Sequence, residues 1–400
     1  MNEQLIVKNF GPIKDATVDF KRVTVFIGPT GGGKSTLAKL AAIFREGSLL
    51  GESADINHVL LDYGIDNYRE NEYLAKMSTK KGQFIQILVD VVSYDTNTKL
   101  EIESHNVSNS KIEEKQLTTL IQDMRSTFPN TDPLLFTENT IKEFIKLSTN
   151  KFYLKGKLGF SFFTHYIPSE RLLVSILNAS WPSLIASKIN LSKFVLDFAR
   201  EYLKAGAAIA TLDIPFLGIQ YEYILGRTYV NFDSNRSLPI NETASGIQSI
   251  TPLLVLLEHL SHNTEQAQSF IIEEPELNLY PTAQQGLLNW LVEKCTKGEN
   301  DLTITTHSPY ILSHLNLLLY AYQVAEKHPD RKEAVAAIVP EASWINPKEF
   351  ACYQVENGGV QSLVDEELGL IDNNELDGLS GDAADAFDNL IRLSKGFAIK

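Results

Sequence analysis

Apolar and polar positions change rhythm several times along the chain, and each change marks an element. Short apolar runs open it at Gln4 to Lys8, Ala16 to Phe20 and Val23 to Ile27, the last rich in Val and Ile as a buried strand is. Over Thr36 to Arg45 the period lengthens, and Leu37, Leu40, Ala41 and Phe44 share one helical face. Between Glu46 and Phe163 the pattern predicts a strand pair, Phe84 to Tyr94 with Lys99 to Ser104, and a helix over Lys111 to Phe128. Ser192 to Lys204 reads as an amphipathic helix, and Tyr221 to Leu225 with Thr228 to Phe232 as a hairpin turning at Gly226-Arg227. Helix and buried strand then alternate: Gly246 to His262, Ser269 to Glu273, Pro281 to Cys295 with proline in its first turn, and Leu302 to Thr306. Ala334 to Val339 and Ala351 to Val355 read as strands at the sheet edge.

That alternation favours an α/β fold around a parallel sheet. Residues 1–45 with 240–364 form the expected core, 46–239 an insert carried on it, and 365–400 a tail. With 400 residues and 44% hydrophobic content, the chain can bury full cores. No heptad run is sustained long enough for coiled-coil arms. The net charge of −14 argues against coating nucleic acid or an anionic membrane by bulk charge, which leaves nucleic acid a possible partner through a local basic groove but not one that net charge indicates. Nine acidic against three basic residues make 365–400 read as a solvated face or tail. Cys295 and Cys352 are too few for a disulfide scaffold or a cysteine-rich zinc site. The opening residues lack a basic stretch followed by an apolar one, which predicts no secretory leader. The uncharged window Leu302 to Ala325 is interrupted by His307, Ser308, Pro309, His314 and Asn316, polar groups too costly for a spanning helix. The expectation is a cytoplasmic protein without a membrane partner.

The strand at Val23 to Ile27 runs directly into Gly28, Pro29, Thr30, Gly31, Gly32, Gly33, Lys34 and Ser35, followed by Thr36, a match to Gly-x-x-x-x-Gly-Lys-Ser/Thr. Glycines let the backbone curl so that N–H groups face phosphate oxygens, and the next helix adds the positive end of its dipole. Lys34 is expected on the β- and γ-phosphates of ATP and the Ser35 hydroxyl on Mg²⁺. Hydrolysis also needs a carboxylate for the metal and a group to orient water. The run Phe270 to Pro275 ends a strand in two carboxylates, with Glu273 expected at Mg²⁺ and Glu274 at the attacking water. One strand later, His307 is placed to donate to the γ-phosphate. Ser245, Gly246 and Gln248 precede a strongly apolar helix, and Ser245 as N-cap would leave N–H groups free for an anion.

In this order the elements resemble an ABC-type ATPase head, with Gly28 to Ser35 as Walker A, Ser245-Gly246-Ile247-Gln248 as a loose signature, Ile271 to Glu274 as Walker B and His307 as the switch histidine. The opening Lys8-Asn-Phe-Gly-Pro-Ile-Lys-Asp15 and the run Glu-Glu-Pro-Glu-Leu-Asn-Leu-Tyr-Pro from 273 to 281 look like the SMC-like and OLD-like branch. The resemblance implies a P-loop parallel core sheet, an antiparallel β subdomain and a helical insert. It implies two heads meeting head to tail as a homodimer or higher homo-oligomer, each ATP pressed between the Walker A of one and the Ser245-Gly246 of the other. It also implies a nucleotide-driven switch or scaffold that controls a separate effector protein, a nuclease or toxin, in prokaryotic antiviral defence.

The match departs from the pattern in places. Glu273 stands where Asp is usual, and Asn278 and Tyr280 replace histidines common in the OLD-like branch. Gln83 or Gln86 serves as a Q-loop candidate, and Arg171, in Tyr166-Ile-Pro-Ser-Glu-Arg171, as a phosphate or interface contact. The alternatives are a DNA-repair SMC-like head, which would need a long helical hairpin, and a transporter nucleotide-binding subunit, in which Walker A and signature lie much closer in sequence than Lys34 and Ser245.

Overall fold

The computed structural model describes residues 3–46, 56–78, 84–88, 91–94, 163–177, 192–262, 266–372 and 390. Its strands are β1 (Gln4–Phe10), β2 (Ile13–Asp19), β3 (Val23–Ile27), β4 (Arg69–Ser78), β5 (Phe84–Leu88), β6 (Val91–Tyr94), β7 (Phe163–Ile167), β8 (Thr211–Ile214), β9 (Ile219–Ile224), β10 (Arg227–Asp233), β11 (Arg236–Pro239), β12 (Gln268–Glu273), β13 (Asp301–Thr305), β14 (Phe350–Glu356) and β15 (Gly359–Ser362). The helices are α1 (Lys34–Glu46), α2 (Ile56–Asp62), α3 (Leu172–Leu177), α4 (Lys193–Ala208), α5 (Ser245–Ser261), α6 (Pro281–Cys295), α7 (Pro309–Lys327) and α8 (Lys332–Ile338).

The core is a six-stranded sheet in the order β15-β14-β3-β13-β12-β7, parallel except for β15. Its central strands β3 and β12 are buried at every position, as strands covered on both faces must be, which explains their unbroken apolar runs. Helix α1 packs against β7, β12 and β13 and also touches β4 of a second sheet, an antiparallel one ordered β2-β1-β4-β5-β6. A third sheet, β11-β10-β9-β8, is antiparallel as well. The expected α/β architecture, a parallel core with an antiparallel β subdomain and interposed helices, is therefore present. The stretch 46–239 contributes to all three sheets: β4 to β6 extend the one begun by β1 and β2, and β7 forms an edge of the core.

Several local expectations change. Phe84 to Tyr94 is not one strand: β5 and β6 pair with each other, Leu88 opposite Val91. The expected strand at Lys99 to Ser104 and helix at Lys111 to Phe128 lie outside the described residues, as does Gln83, while Gln86 sits on β5 opposite Lys76. The hairpin turns at Leu225-Gly226 rather than Gly226-Arg227, with φ of 48° and 81° at those residues, the left-handed pair that suits strand twist. Ala334 to Ile338 is helical, within α8, because alanine and the Lys332-Glu333 start favour a helix over a short strand, and Val339 is its extended C-cap. Ala351 to Val355 is a strand, but β14 lies inside the sheet, between β3 and β15. The first part of the acidic tail is docked, not solvated: Asn316 on α7 donates to Ile371 O at 3.0 Å and accepts from Ile371 N at 2.7 Å, and Ile371 is buried. Both cysteines are free and buried. Among the described residues no helix is long and apolar enough to cross a membrane.

Candidate functional site

Register across the core sheet assembles the site. Phe26 of β3 lies beside Thr305 of β13, and Thr305 beside Glu273 of β12. The loops leaving these parallel strands, at Gly28, Thr306 and Glu274, therefore open together at the carboxyl ends of the strands, where α/β folds bind ligands. The next strand, β14, backs the first loop. A Cβ on Gly28 would lie 2.3 Å from Val355 O, and Gly28 takes φ +137°, so no other residue fits there. Gly33 takes φ +111°, which disfavours a side chain, and a Cβ there would also press the tip of the Ile13 side chain at 2.3 Å. The loop then feeds α1, whose first residue is Lys34.

Lys34 is 5% exposed, and its Nζ donates to Gly28 O at 2.8 Å and Pro29 O at 2.9 Å. Burial lowers its pKa, and the carboxylates Glu274, Glu273 and Glu276 pull it back up, so one cation lies within electrostatic reach of three acids. Ser35 is exposed in this first turn, whereas Thr36 is buried. Pro29, Thr30 and Gly31 form the exposed rim of the loop, with Gly32 half-buried behind them.

The acidic turn is held from three directions. Glu273 is 4% exposed, and burial pushes its carboxyl up while the Ser35 hydroxyl and the Lys39 ammonium pull it down. Its Oε1 is buried without a hydrogen-bond partner. Glu274 takes φ +41°, costly for a residue with a Cβ, and its N–H donates to Thr305 O at 3.0 Å and to Thr305 Oγ1 at 3.2 Å. Arg171 fixes the same turn from behind. Its guanidinium, fully buried, donates to Pro168 O, Glu273 O, Glu274 O and Pro275 O at 2.6 to 3.1 Å. Burial lowers its pKa to about 10, so it stays charged at neutral pH. Arg171 is thus not the phosphate or interface contact expected of it; it is a strut for the backbone of the carboxylate pair.

His307 Nε2 lies 3.4 Å from Glu274 Oε1, each side chain about one-third exposed. Glu276, two residues past Glu274, is 8% exposed; its Oε1 accepts from Thr306 Oγ1 at 2.5 Å and from His307 N at 3.0 Å. Burial raises its carboxyl above the usual range. The sequence contained Glu276 within the recognised run, but nothing local distinguished it, because its partners lie thirty residues further on.

The third segment reaches the site differently. Ala244, not Ser245, is the N-cap of α5; it has no side-chain cap, and Ser245 is the exposed first helical residue. Gly246 packs under the acidic run: a Cβ there would lie 2.6 Å from Asn278 O. Asn278 itself takes φ 63°, which suits asparagine better than most side chains. The Gln248 amide donates to Thr243 O at 2.6 Å and Asn241 O at 3.3 Å, tying the preceding turn to the helix.

Against known families, residues 1–173 and 185–312 match the AAA ATPase domain. The chain belongs to that family. A 111-residue stretch of this AAA ATPase domain protein, 28% of the chain, is 30% identical to the OLD nuclease of Thermus scotoductus and spans 19% of that protein's length. The expected ATPase family is thereby shown, and the shared stretch carries the expected likeness to the OLD-like branch. Among solved structures it is similar to an SMC head bound to the C-winged helix domain of ScpA, with 9% identity, TM-score 0.40, and 90% and 96% of the two chains covered. A second is the SMC head domain from Thermotoga maritima, with 13% identity, TM-score 0.32, and 90% and 98% covered.

An ATPase of this family calls for a nucleotide and a divalent cation, and the residues present fit both. The loop at 28–33 admits no added Cβ at its closest approaches, and it ends at a helix N-terminus beside a buried lysine. Among the described residues no group of three or more His, Cys, Asp and Glu could hold a metal alone. The unpartnered Oε1 of Glu273 beside Ser35 suits a Mg²⁺ that draws its other ligands from phosphate and water.

Proposed function

We propose that this AAA-family chain binds MgATP at Gly28 to Thr36 and hydrolyses it with Glu274 as the general base. The observation that carries the reading is the convergence of a buried Lys34, the Glu273 carboxylate with its unpartnered Oε1, and the Glu274–His307 pair at the carboxyl end of the parallel sheet. Lys34 supplies positive charge where the triphosphate is most negative, and Ser35 with Glu273 would hold Mg²⁺, which neutralises charge developing on the phosphates. Glu274, partly exposed and held by the bonds to its backbone, takes the proton of the attacking water. His307 beside it is a donor toward the terminal phosphate and reports whether that phosphate is present.

The reading extends to assembly. Ser245 is exposed at the start of α5, with Gly246 buried beside it against the acidic run, which supports the head-to-tail homodimer in which this segment completes the partner's ATP site. Closure driven by ATP would then hold or release a separate effector protein, in the cytoplasm and in antiviral defence, as the OLD-like kinship suggests. Glu274→Gln tests the chemistry: turnover falls by about 10² to 10⁴ while MgATP affinity is retained and dimer accumulates in size-exclusion chromatography. Unchanged turnover removes Glu274 from its role. Copurification with and without ATP identifies an effector; a pull-down indifferent to nucleotide ends the switch reading.

A further inference from the structure

We infer that Glu276 is a positioning residue that sets the imidazole of His307 against the Glu274 carboxylate. The inference rests on the hydrolysis reading above and adds to it a side chain that need touch neither nucleotide nor water. Glu276 Oε1 accepts from His307's own backbone N–H at 3.0 Å and from the preceding Thr306 hydroxyl at 2.5 Å, so it grips the histidine loop at two consecutive residues. Thr306 Oγ1, having donated its proton there, accepts from Ser308 N at 3.0 Å. Ser308 Oγ donates to Gln284 Oε1 at 2.5 Å, Gln284 Nε2 donates to Leu279 O at 3.0 Å, and Leu279 N donates to Glu276 O at 2.9 Å. The circuit closes on itself. It joins the loop after β13 to the turn after β12 and the start of α6, and the Thr306 hydroxyl and the Gln284 side-chain amide each both donate and accept within it.

Glu274 and Glu276 sit on the same turn, and His307 is bonded to one through its backbone and lies 3.4 Å from the other through its ring. Fixing the backbone of His307 from Glu276 therefore sets where its side chain starts relative to Glu274 and leaves only the two side-chain torsions to place the ring. A merely structural carboxylate would satisfy the Thr306 and His307 donors without any consequence for that ring. Both donors need only an acceptor oxygen, so glutamine at 276 can serve and alanine cannot.

The test compares wild type with Glu276→Ala, Glu276→Gln, His307→Ala and the double variant Glu276→Ala/His307→Ala, reading kcat and KM for ATP and, without nucleotide, the ¹⁵N resonances of the His307 ring. Glu276→Ala is expected to lose about tenfold in kcat with KM within about twofold, and the double variant to be no slower than His307→Ala, because coupled residues are not additive. Glu276→Gln recovers the rate, and the ring resonances shift in Glu276→Ala and return in Glu276→Gln. Losses that multiply in the double variant, or unmoved ring resonances in folded Glu276→Ala, overturn the proposal. If wild type does not hydrolyse ATP, the hydrolysis reading fails, and the ring resonances still decide the role of Glu276. Should Glu276→Ala not fold, Thr306→Val removes one of the two donors to Oε1 and is expected to move the same readouts in the same direction; unmoved readouts there overturn the proposal equally.

Discussion

Two helix starts, those of α1 and α5, each follow a loop with glycine nearby, yet they are finished in opposite ways. At α1 the first residue, Lys34, turns inward, is nearly fully buried, bonds two carbonyls of its own loop and feels three carboxylates. At α5 the first residue, Ser245, stays exposed, the N-cap Ala244 offers no side chain, and nearby Gln248 is occupied with the preceding turn. Both ends present backbone N–H groups and the positive pole of a helix. Only the first lies within electrostatic reach of Glu273, Glu274 and Glu276. A charged ligand at α1 meets a preorganised site, whereas an anion at α5 would have to arrive with a partner surface around it.

The sharpest way to break this contrast is to remove the charge that creates it. Lys34→Ala should weaken ATP binding about a hundredfold, or ~3 kcal/mol, the upper range for hydrogen bonds to a charged group. Isothermal titration calorimetry measures it. Retained affinity would mean that the loop at 28–33 is no more a phosphate cradle than the start of α5.

Next comes the strut behind the acids. Arg171 is expensive to bury, as its lowered pKa shows, yet its bonds to the carbonyls of residues 168 and 273–275 hold the turn in which Glu274 adopts positive φ. Arg171→Met avoids burying the charge but strands those carbonyls, and the stranded acceptors win. We expect a net loss of about 2–4 kcal/mol in unfolding stability. Chemical denaturation checks it, and a stability equal to wild type would show that the turn holds itself.

How much of this was legible in the sequence follows from where each partner lies. The bounds of β3 and α6 could be read to the residue, because Gly28 ends a Val-rich run and Pro281 opens a helix. Glu273, Glu274 and His307 were legible as strand-end residues, since register in a parallel sheet turns position along the strand into proximity. The buried roles of Arg171 and Glu276 were not. Each depends on groups about thirty to a hundred residues away, and neither stands in a local pattern that separates a buried ion from a surface one. Nor was the place of β7 legible, because only its pairing with β12 gives it one. Ala334 to Val339 misled because six small apolar residues suit either element, and the preceding turn decides.

A smaller effect comes from the Glu273 carboxyl. Burial raises the Glu273 carboxyl above its ordinary value, so the folded protein holds a proton that the unfolded chain releases. Stability contributed by that proton is present at acid pH and lost as pH rises through the folded value. Glu273→Gln cannot ionise and escapes the loss. In metal-free buffer its Tm should exceed that of wild type near pH 8, with the difference vanishing below about pH 4. A difference independent of pH would assign the change to packing instead.

The start of α5 gives the smallest signal and the one that bears most directly on assembly. Gly246 is a poor probe, because an added Cβ would meet Asn278 O at 2.6 Å and disturb the acidic run itself. Ser245 is exposed and caps nothing, so Ser245→Arg should change unfolding stability by no more than about 0.5 kcal/mol. If Ser245 completes a partner's ATP site, Ser245→Arg alone and Lys34→Ala alone are both slow, each for want of a different half. Mixed one to one, random pairing makes half the dimers hybrid, and each hybrid holds one site with neither change, which returns about a quarter of wild-type turnover. A mixture no faster than its components, while both variants bind each other in ultracentrifugation, would leave α5 as a helix that merely begins near the site, and Lys34, Glu274 and His307 as a site complete within one chain.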